Sequence, residues 1–187
     1  MLCIEERPTD PQRDGGIAAS ASLWDWWAWQ TVSIGTVQIS AKADYAVRVM
    51  LELAAHGPDL VKSTVLIDHQ ELPRKFVESI LVELRRADLI RSHRGAEGGY
   101  TLARPATAIS IGQVIRAVDG PLAEVRGLRP HETEYSNAAQ HLADVWVAAR
   151  AALRKVLDET SLAHVLSGKL PAHVRRMAES PEAWLPR

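Results

Sequence analysis

Two groups of basic residues in the second quarter of the chain have spacings that suit the recognition of a polyanion. Arg74 and Lys75 stand at the start of "LPRKFVESILVELRRADL", and Arg94 stands before the glycines of "RGAEGGY". A guanidinium or ammonium on the first turn of a helix can reach guanine or phosphate, and a carboxylate one turn on, here Glu78, can accept from cytosine N4. An arginine at the tip of a glycine-bearing hairpin can enter a narrow minor groove, where the negative potential is enhanced. Gly95, Gly98 and Gly99 allow backbone conformations closed to other residues and keep the loop free of side chains. Tyr100 closes the loop, with its ring turned inward and its hydroxyl at the rim.

Ordinary explanations compete with these. A glycine-rich hairpin is commonly only a hairpin. Arg85 and Arg86 read equally well as solvated helix residues or phosphate contacts. The spacing of Phe76, Val77, Ile80, Leu81 and Leu84 assigns Phe76 to the buried stripe, with a base contact as the alternative. From His69 to Arg104 seven basic residues face five acidic ones, so placement rather than net charge carries the argument.

The elements that would hold these residues follow from periodicity. "SAKADYAVRVMLELAAHGP" predicts a first helix capped by Ser40, with Ala43, Val47, Met50, Leu51 and Ala54 on one face and Gly57-Pro58 as its stop. "STVLIDHQE" predicts a weaker second helix. A third starts with Pro73 in its first turn. Leu89 to His93 and Tyr100 to Leu102 predict two short strands around the glycine loop. "SIGQVIRAVDGP" predicts a helix with a Ser110–Gln113 capping box and an inner face of Ile111, Val114, Ile115 and Val118. An irregular connector covers Leu122 to Tyr135. A long helix from about Asn137 to Glu159 presents Ala138, Leu142, Val145, Trp146, Ala149, Leu153, Val156 and Leu157 at three/four spacing. A short final helix ends at Ser167-Gly168. The order helix, helix, turn, helix, hairpin is a winged helix-turn-helix, mostly α with a small β wing, whose third helix enters the major groove.

Composition narrows the alternatives. The chain has 187 residues, is 47% apolar and 24% charged, and carries a net charge of −1, so attraction to nucleic acid must come from a local patch. Its one cysteine, Cys3, excludes an intramolecular disulfide and any multi-cysteine metal site. No apolar run spans a membrane and the start does not read as a secretory signal, which favours the cytoplasm. No serine or cysteine nucleophile motif, phosphate-binding loop or convincing metal pair argues for an enzyme. His131, Glu132 and Glu134 in "HETEY" lack the H-E-x-x-H spacing and read as a solvated loop. The domain boundaries expected are a leader over 1–36, a DNA-binding domain over 37–120, a connector with the long and short helices over 121–167, and a flexible tail over 168–187. The leader holds four of the six tryptophans and shows no clean period. It reads as poorly ordered or as an upstream extension with the true start at Val37; an ordered arm on the body is the rival.

"QISAKADYAVRVMLELA", the wing "RGAEGGYTLA" and "ISIGQVIRAVDGP" together resemble the Rrf-two family of bacterial regulators, relatives of IscR, NsrR and CymR, over about Val37 to Leu166. The resemblance implies a homodimeric winged-helix transcription factor, usually a repressor, that binds a partly palindromic operator in double-stranded DNA. It implies dimerisation through the long helix, at Leu142, Val145, Trp146, Ala149, Leu153 and Val156. It places base reading on Pro73 to Ser79, with Arg74, Lys75, Phe76 and Glu78 foremost and Ser79 closing the stretch. The wing contact falls on Arg94 beside Gly95, and first-helix phosphate contacts fall on Ser40, Lys42 and Tyr45. Iron–sulfur members carry cysteines in the connector; "LAEVRGLRPHETEYSNAAQ" has none, so no cluster and no cofactor is expected. The effector, a small molecule or a protein, is expected near Tyr135 and Trp146. A winged-helix protein-interaction module without direct DNA binding is the alternative function.

Overall fold

The computed structural model describes residues 38–95 and 97–186. The expectations for the leader and for a start at Val37 lie outside the described residues. Helix α1 spans Ala41–Ala55, and its cap is the expected one: the Ser40 hydroxyl accepts the Ala43 N–H at 2.9 Å. Its buried residues are Ala43, Ala46, Val49, Met50 and Leu53. Val47, Leu51 and Ala54, expected on the same face as Ala43 and Met50, are half-buried around it. The reason is position: α1 has neighbours on several sides, so no single stripe describes its burial.

Helix α2 (Ser63–Gln70) buries Leu66 and ends at Glu71, which takes a left-handed φ of 51° and turns the chain into the next helix. Helix α3 spans Arg74–Arg86 with Pro73 just outside it as the N-cap rather than inside the first turn. Val77, Ile80, Leu81 and Leu84 are buried as expected. Phe76 is not; it is 48% exposed, because α1 and α2 cover the side of α3 that holds Val77 and Ile80 and leave Phe76 on the flank.

Strands β1 (Ile90–His93) and β2 (Gly99–Leu102) pair antiparallel, with Ile90 opposite Leu102 and His93 opposite Gly99. A third edge comes from one residue far upstream. Val61 exchanges both backbone hydrogen bonds with Tyr100, at 3.0 and 2.9 Å, and locks the hairpin to the segment before α2.

Helix α4 (Ile111–Asp119) starts with the full Ser110–Gln113 capping box and stops at Gly120. The connector holds two short 3-10 turns, Pro130–Glu132 and Asn137–Ala139. Helix α5 therefore begins later than expected, at Leu142, and runs to Glu159; Asn137 adopts a left-handed φ of 55° and cannot continue a right-handed helix. Helix α6 (Leu162–Ser167), expected to go with the connector and the long helix, folds back onto the core that α1 helps to form: Leu162 is fully buried against α1, and its N–H donates to the Ile109 carbonyl at 3.0 Å. The stretch expected as a flexible tail contains helix α7 (Ala172–Glu179) and a 3-10 turn over Pro181–Trp184. Pro171 fixes the entry to α7, whose first turn His173 ties to α5 through Lys155 O at 3.1 Å and the Glu159 carboxylate at 3.4 Å. Among the described residues no helix is long and apolar enough to cross a membrane.

Candidate nucleic-acid interface

The first two turns of α3 form a polar, open surface. Pro73, Arg74, Lys75, Phe76, Glu78 and Ser79 are all exposed, while Val77 between them anchors the turn in the core. No side chain caps this helix, so its leading N–H groups and the positive end of its dipole remain available to an anion. Arg74 approaches Glu78 only at 4.0 Å with both side chains more than 60% exposed, a contact of negligible strength in water. Lys75 forms no ion pair among the described residues. Phe76 meets the ring of Tyr45 edge-on at 5.9 Å, and the Arg48 guanidinium lies 5.9 Å from the same ring, which ties α3 to α1.

A set of α1 polar residues that the sequence did not single out holds the turn between α2 and α3. Arg48 donates to the Gln70 side-chain oxygen at 3.2 Å and to the Gln70 carbonyl. Glu52 accepts from Gln70 Nε2 at 2.7 Å and pairs with His69 Nδ1 at 2.8 Å, while His56 Nδ1 contacts the Glu52 carbonyl at 2.9 Å. Burial pushes the Glu52 pKa up; the hydrogen bonds from His69 and Gln70 and the charge of the two histidines outweigh it and hold the carboxyl below its ordinary value. The signal available in the sequence was the four-residue spacing of Arg48, Glu52 and His56 along one face of α1.

In the wing, Arg91, Ser92, His93, Arg94 and Gly95 are exposed, and Arg94 has no ion pair among the described residues. The three glycines have different reasons. Gly95 has a φ of 114°, a conformation that side chains disfavour. Gly98 and Gly99 do not need such freedom; a Cβ on Gly98 would lie 2.5 Å from the His93 carbonyl oxygen, and one on Gly99 would lie 2.8 Å from that of Val61. Tyr100 is half-buried, with its ring packed on the core.

The residues expected to touch phosphate from α1 are turned toward the protein. The Ser40 hydroxyl donates to Asp119 Oδ2 at 2.6 Å while accepting from Ala43. Lys42 Nζ lies 2.8 Å from Glu83 Oε1, 2.7 Å from Glu83 Oε2 and 3.1 Å from the Val118 carbonyl oxygen. Tyr45 is half-buried beneath Phe76. The structure thus gathers the Pro73–Ser79 surface and Tyr45, and sets Ser40 and Lys42 apart from it as internal contacts.

Helix α5 is 18 residues long, and none of them is buried. Val145, Trp146 and Val147 are 56%, 36% and 42% exposed. Ala149 is exposed, and Leu142, Leu153 and Val156 are half-buried. Trp146 Nε1 donates to the Tyr135 hydroxyl at 3.1 Å, and the Arg126 guanidinium lies 5.4 Å from the Tyr135 ring. Tyr135 and Trp146, expected together, are in contact.

The protein-family model described as "Rrf2: Iron-dependent Transcriptional regulator" matches residues 39–168. The putative HTH-type transcriptional regulator Rv1287 of Mycobacterium tuberculosis is 49% identical over 148 residues, which cover 79% of this chain and 92% of that one. The solved structure of CymR, the global cysteine regulator of B. subtilis, is similar with a TM-score of 0.61 at 32% identity, over 72% of this chain and 99% of that one. That of T. potens IscR has a TM-score of 0.57 at 30% identity and covers 83% and 96%. The iron in the family description finds no fitting donor set among the described residues. The connector has no cysteine. No group of three or more His, Cys, Asp or Glu side chains is set to hold a metal among the described residues.

Proposed function

The chain belongs to the Rrf2 family of transcriptional regulators, and from that premise we propose that it works as a cytoplasmic homodimeric repressor of a partly palindromic operator, with no iron–sulfur cluster. The single observation that carries the DNA contact is the exposed, uncapped start of α3, from Pro73 to Ser79, held in place by Val77. Two such helices, related by a two-fold axis, read half-sites about 34 Å apart or a multiple of that distance. Arg74, Lys75 and Phe76 supply base contacts with Glu78 as a negative selector, and Arg94 reaches the backbone or minor groove from the wing.

Dimerisation through α5 is favoured by a second observation. Leu142, Val145, Ala149, Ala152 and Val156 recur at alternating intervals of three and four, the seam of a two-helix packing, and the two alanines permit close approach. An 18-residue helix with no buried residue has little packing of its own to hold it, and a second copy supplies it. A small molecule or partner protein near Tyr135 and Trp146 acts by favouring one angle between α5 and the heads over another.

The test is binding of the purified protein to its own upstream DNA at two salt concentrations, together with sedimentation of the free protein and of Val145→Glu. Salt-sensitive binding with preference over unrelated DNA, a wild-type dimer and a Val145→Glu monomer are expected. No preference for the upstream DNA overturns the operator reading, and a Val145→Glu dimer moves the interface off α5.

A further inference from the structure

We propose that Lys42 is a positioning residue which, through Glu83, sets the roll of the recognition helix against α1 and α4, and is not a phosphate contact. The proposal deepens the DNA-binding reading and rests on it. An ammonium has three N–H donors. Lys42 donates to Glu83 Oε1 at 2.8 Å and to the Val118 carbonyl oxygen at 3.1 Å, and Glu83 Oε2 lies 2.7 Å away as its ion-pair partner without accepting a hydrogen bond. The charge of Lys42 is thus engaged within the protein. Both side chains are half-buried, Lys42 being 31% and Glu83 26% exposed. Val118 lies in the last turn of α4, where carbonyls have no partner in the helix and the dipole favours a cation. Swinging Lys42 out to a phosphate would strand the Glu83 carboxylate and this carbonyl together, and stranded, partly buried polar groups are costly.

Geometry gives the contact its purpose. Helix α3 is attached to α1 at two side-chain points seven residues apart, Phe76 on Tyr45 and Glu83 on Lys42. Seven residues are two helical turns, so both points lie on one face of α3. The buried stripe of Val77, Ile80, Leu81 and Leu84 seats α3 in the core, and these two contacts at its edge trim the roll and hence the direction in which Arg74, Lys75 and Glu78 project. On α1 the matching residues, Lys42 and Tyr45, are three apart and so share a face. The Val118 hydrogen bond adds α4 to the same junction.

The experiment compares wild type, Lys42→Met, Glu83→Gln and the double variant. Each is titrated with upstream DNA and with unrelated DNA of equal length over a range of salt, and unfolded in urea without DNA. Each single variant should lose roughly 2- to 30-fold in operator affinity, the span found for residues that act without touching the ligand. Non-specific affinity and the salt slope should stay at wild-type values, and the double variant should bind no worse than the weaker single. A phosphate contact would give the opposite pattern and overturn the proposal: Lys42→Met would flatten the salt slope by about 0.9, and Glu83→Gln, by removing a negative charge, would tighten binding. The urea arm separates this proposal from the reading beneath it. If the wild type shows no preference for the upstream DNA, the operator reading fails; strictly additive losses of stability at 42 and 83 would show the two residues uncoupled and overturn the clamp itself.

Discussion

Gly99→Ala tests how the wing is fastened to the rest of the head. An ideal Cβ on Gly99 would lie 2.8 Å from the oxygen, 3.0 Å from the carbon and 3.1 Å from the nitrogen of Val61. All three are backbone atoms, so no flexible side chain can move aside. Reaching the 3.4 Å of ordinary contact requires β2 and the Val61 strand to part by about 0.6 Å. The two bonds that join them, Val61 N–H to Tyr100 O at 3.0 Å and Tyr100 N–H to Val61 O at 2.9 Å, involve the very next residue. Each such bond contributes about 1 kcal/mol net. Breaking one or both should cost about 1–2 kcal/mol, equivalent to roughly 2–8 °C in melting temperature for a unit of this size. Thermal unfolding measures the cost, and amide exchange locates it: the Val61 and Tyr100 amides should exchange faster, while those inside α1 follow only the global change. Gly98→Ala is the internal comparison. Its Cβ would meet the His93 carbonyl oxygen at 2.5 Å, within the wing loop, so it should disturb the loop and leave Val61 and Tyr100 protected. A Gly99→Ala protein with unchanged melting temperature and unchanged protection at these two amides would refute the close approach.

Phe76→Ala should weaken operator binding while lowering stability by less than about 1 kcal/mol, because the ring is 48% exposed; a drop of several kcal/mol in urea unfolding would return Phe76 to the core. Arg94→Ala should reduce the salt slope of binding by about 0.9 for each phosphate that Arg94 neutralises, on upstream and unrelated DNA alike; an unchanged slope contradicts the wing assignment. Glu52 titrates below its ordinary value: burial alone would raise it, but His69, Gln70 and His56 prevail. Its carboxylate therefore stabilises the fold above its unfolded pKa, and that contribution fades as the pH falls through the lower folded one. Urea unfolding of Glu52→Gln should accordingly trail wild type near neutral pH and converge with it in acid, whereas a gap of constant size would contradict the assignment.

Much of the fold follows from local rules. The Ser40 cap, the Ser110–Gln113 capping box, the stop at Gly120 and a hairpin within one residue of the expected strands, Ile90–His93 paired with Gly99–Leu102, each depend on residues close in sequence, and each is present. Features without a local signature were missed. Val61 is a single residue of strand, with no period to betray it. Phe76 and Val77 both satisfy the spacing of an apolar stripe; which one is covered depends on where α1 lies. Helix α6 looks like any short amphipathic segment, and only its packing against α1 shows that Leu162 belongs to the core of the head. The helix after Pro171 was hidden because "AHVRRMAE" offers only Val174 and Met177 as large apolar residues, three apart and too few for a buried stripe, although it holds no strong helix breaker.

Polar side chains were the hardest to place, and the reason bears on the interface itself. A count along the sequence treats every charge as surface, so His69 to Arg104 showed seven basic residues against five acidic ones. The structure changes that balance. Glu83 is neutralised by Lys42, which lies outside the segment, leaving seven against four. Lys75, Arg85, Arg86, Arg91, Arg94 and Arg104 are all exposed. A residue such as Lys42, basic and near the start of the first helix, looks like a phosphate ligand by position alone, yet its ammonium lies against Glu83 and the Val118 carbonyl. Partners 41 and 76 residues away cannot be read from neighbouring letters, because the attraction that joins them operates only after the helices have packed.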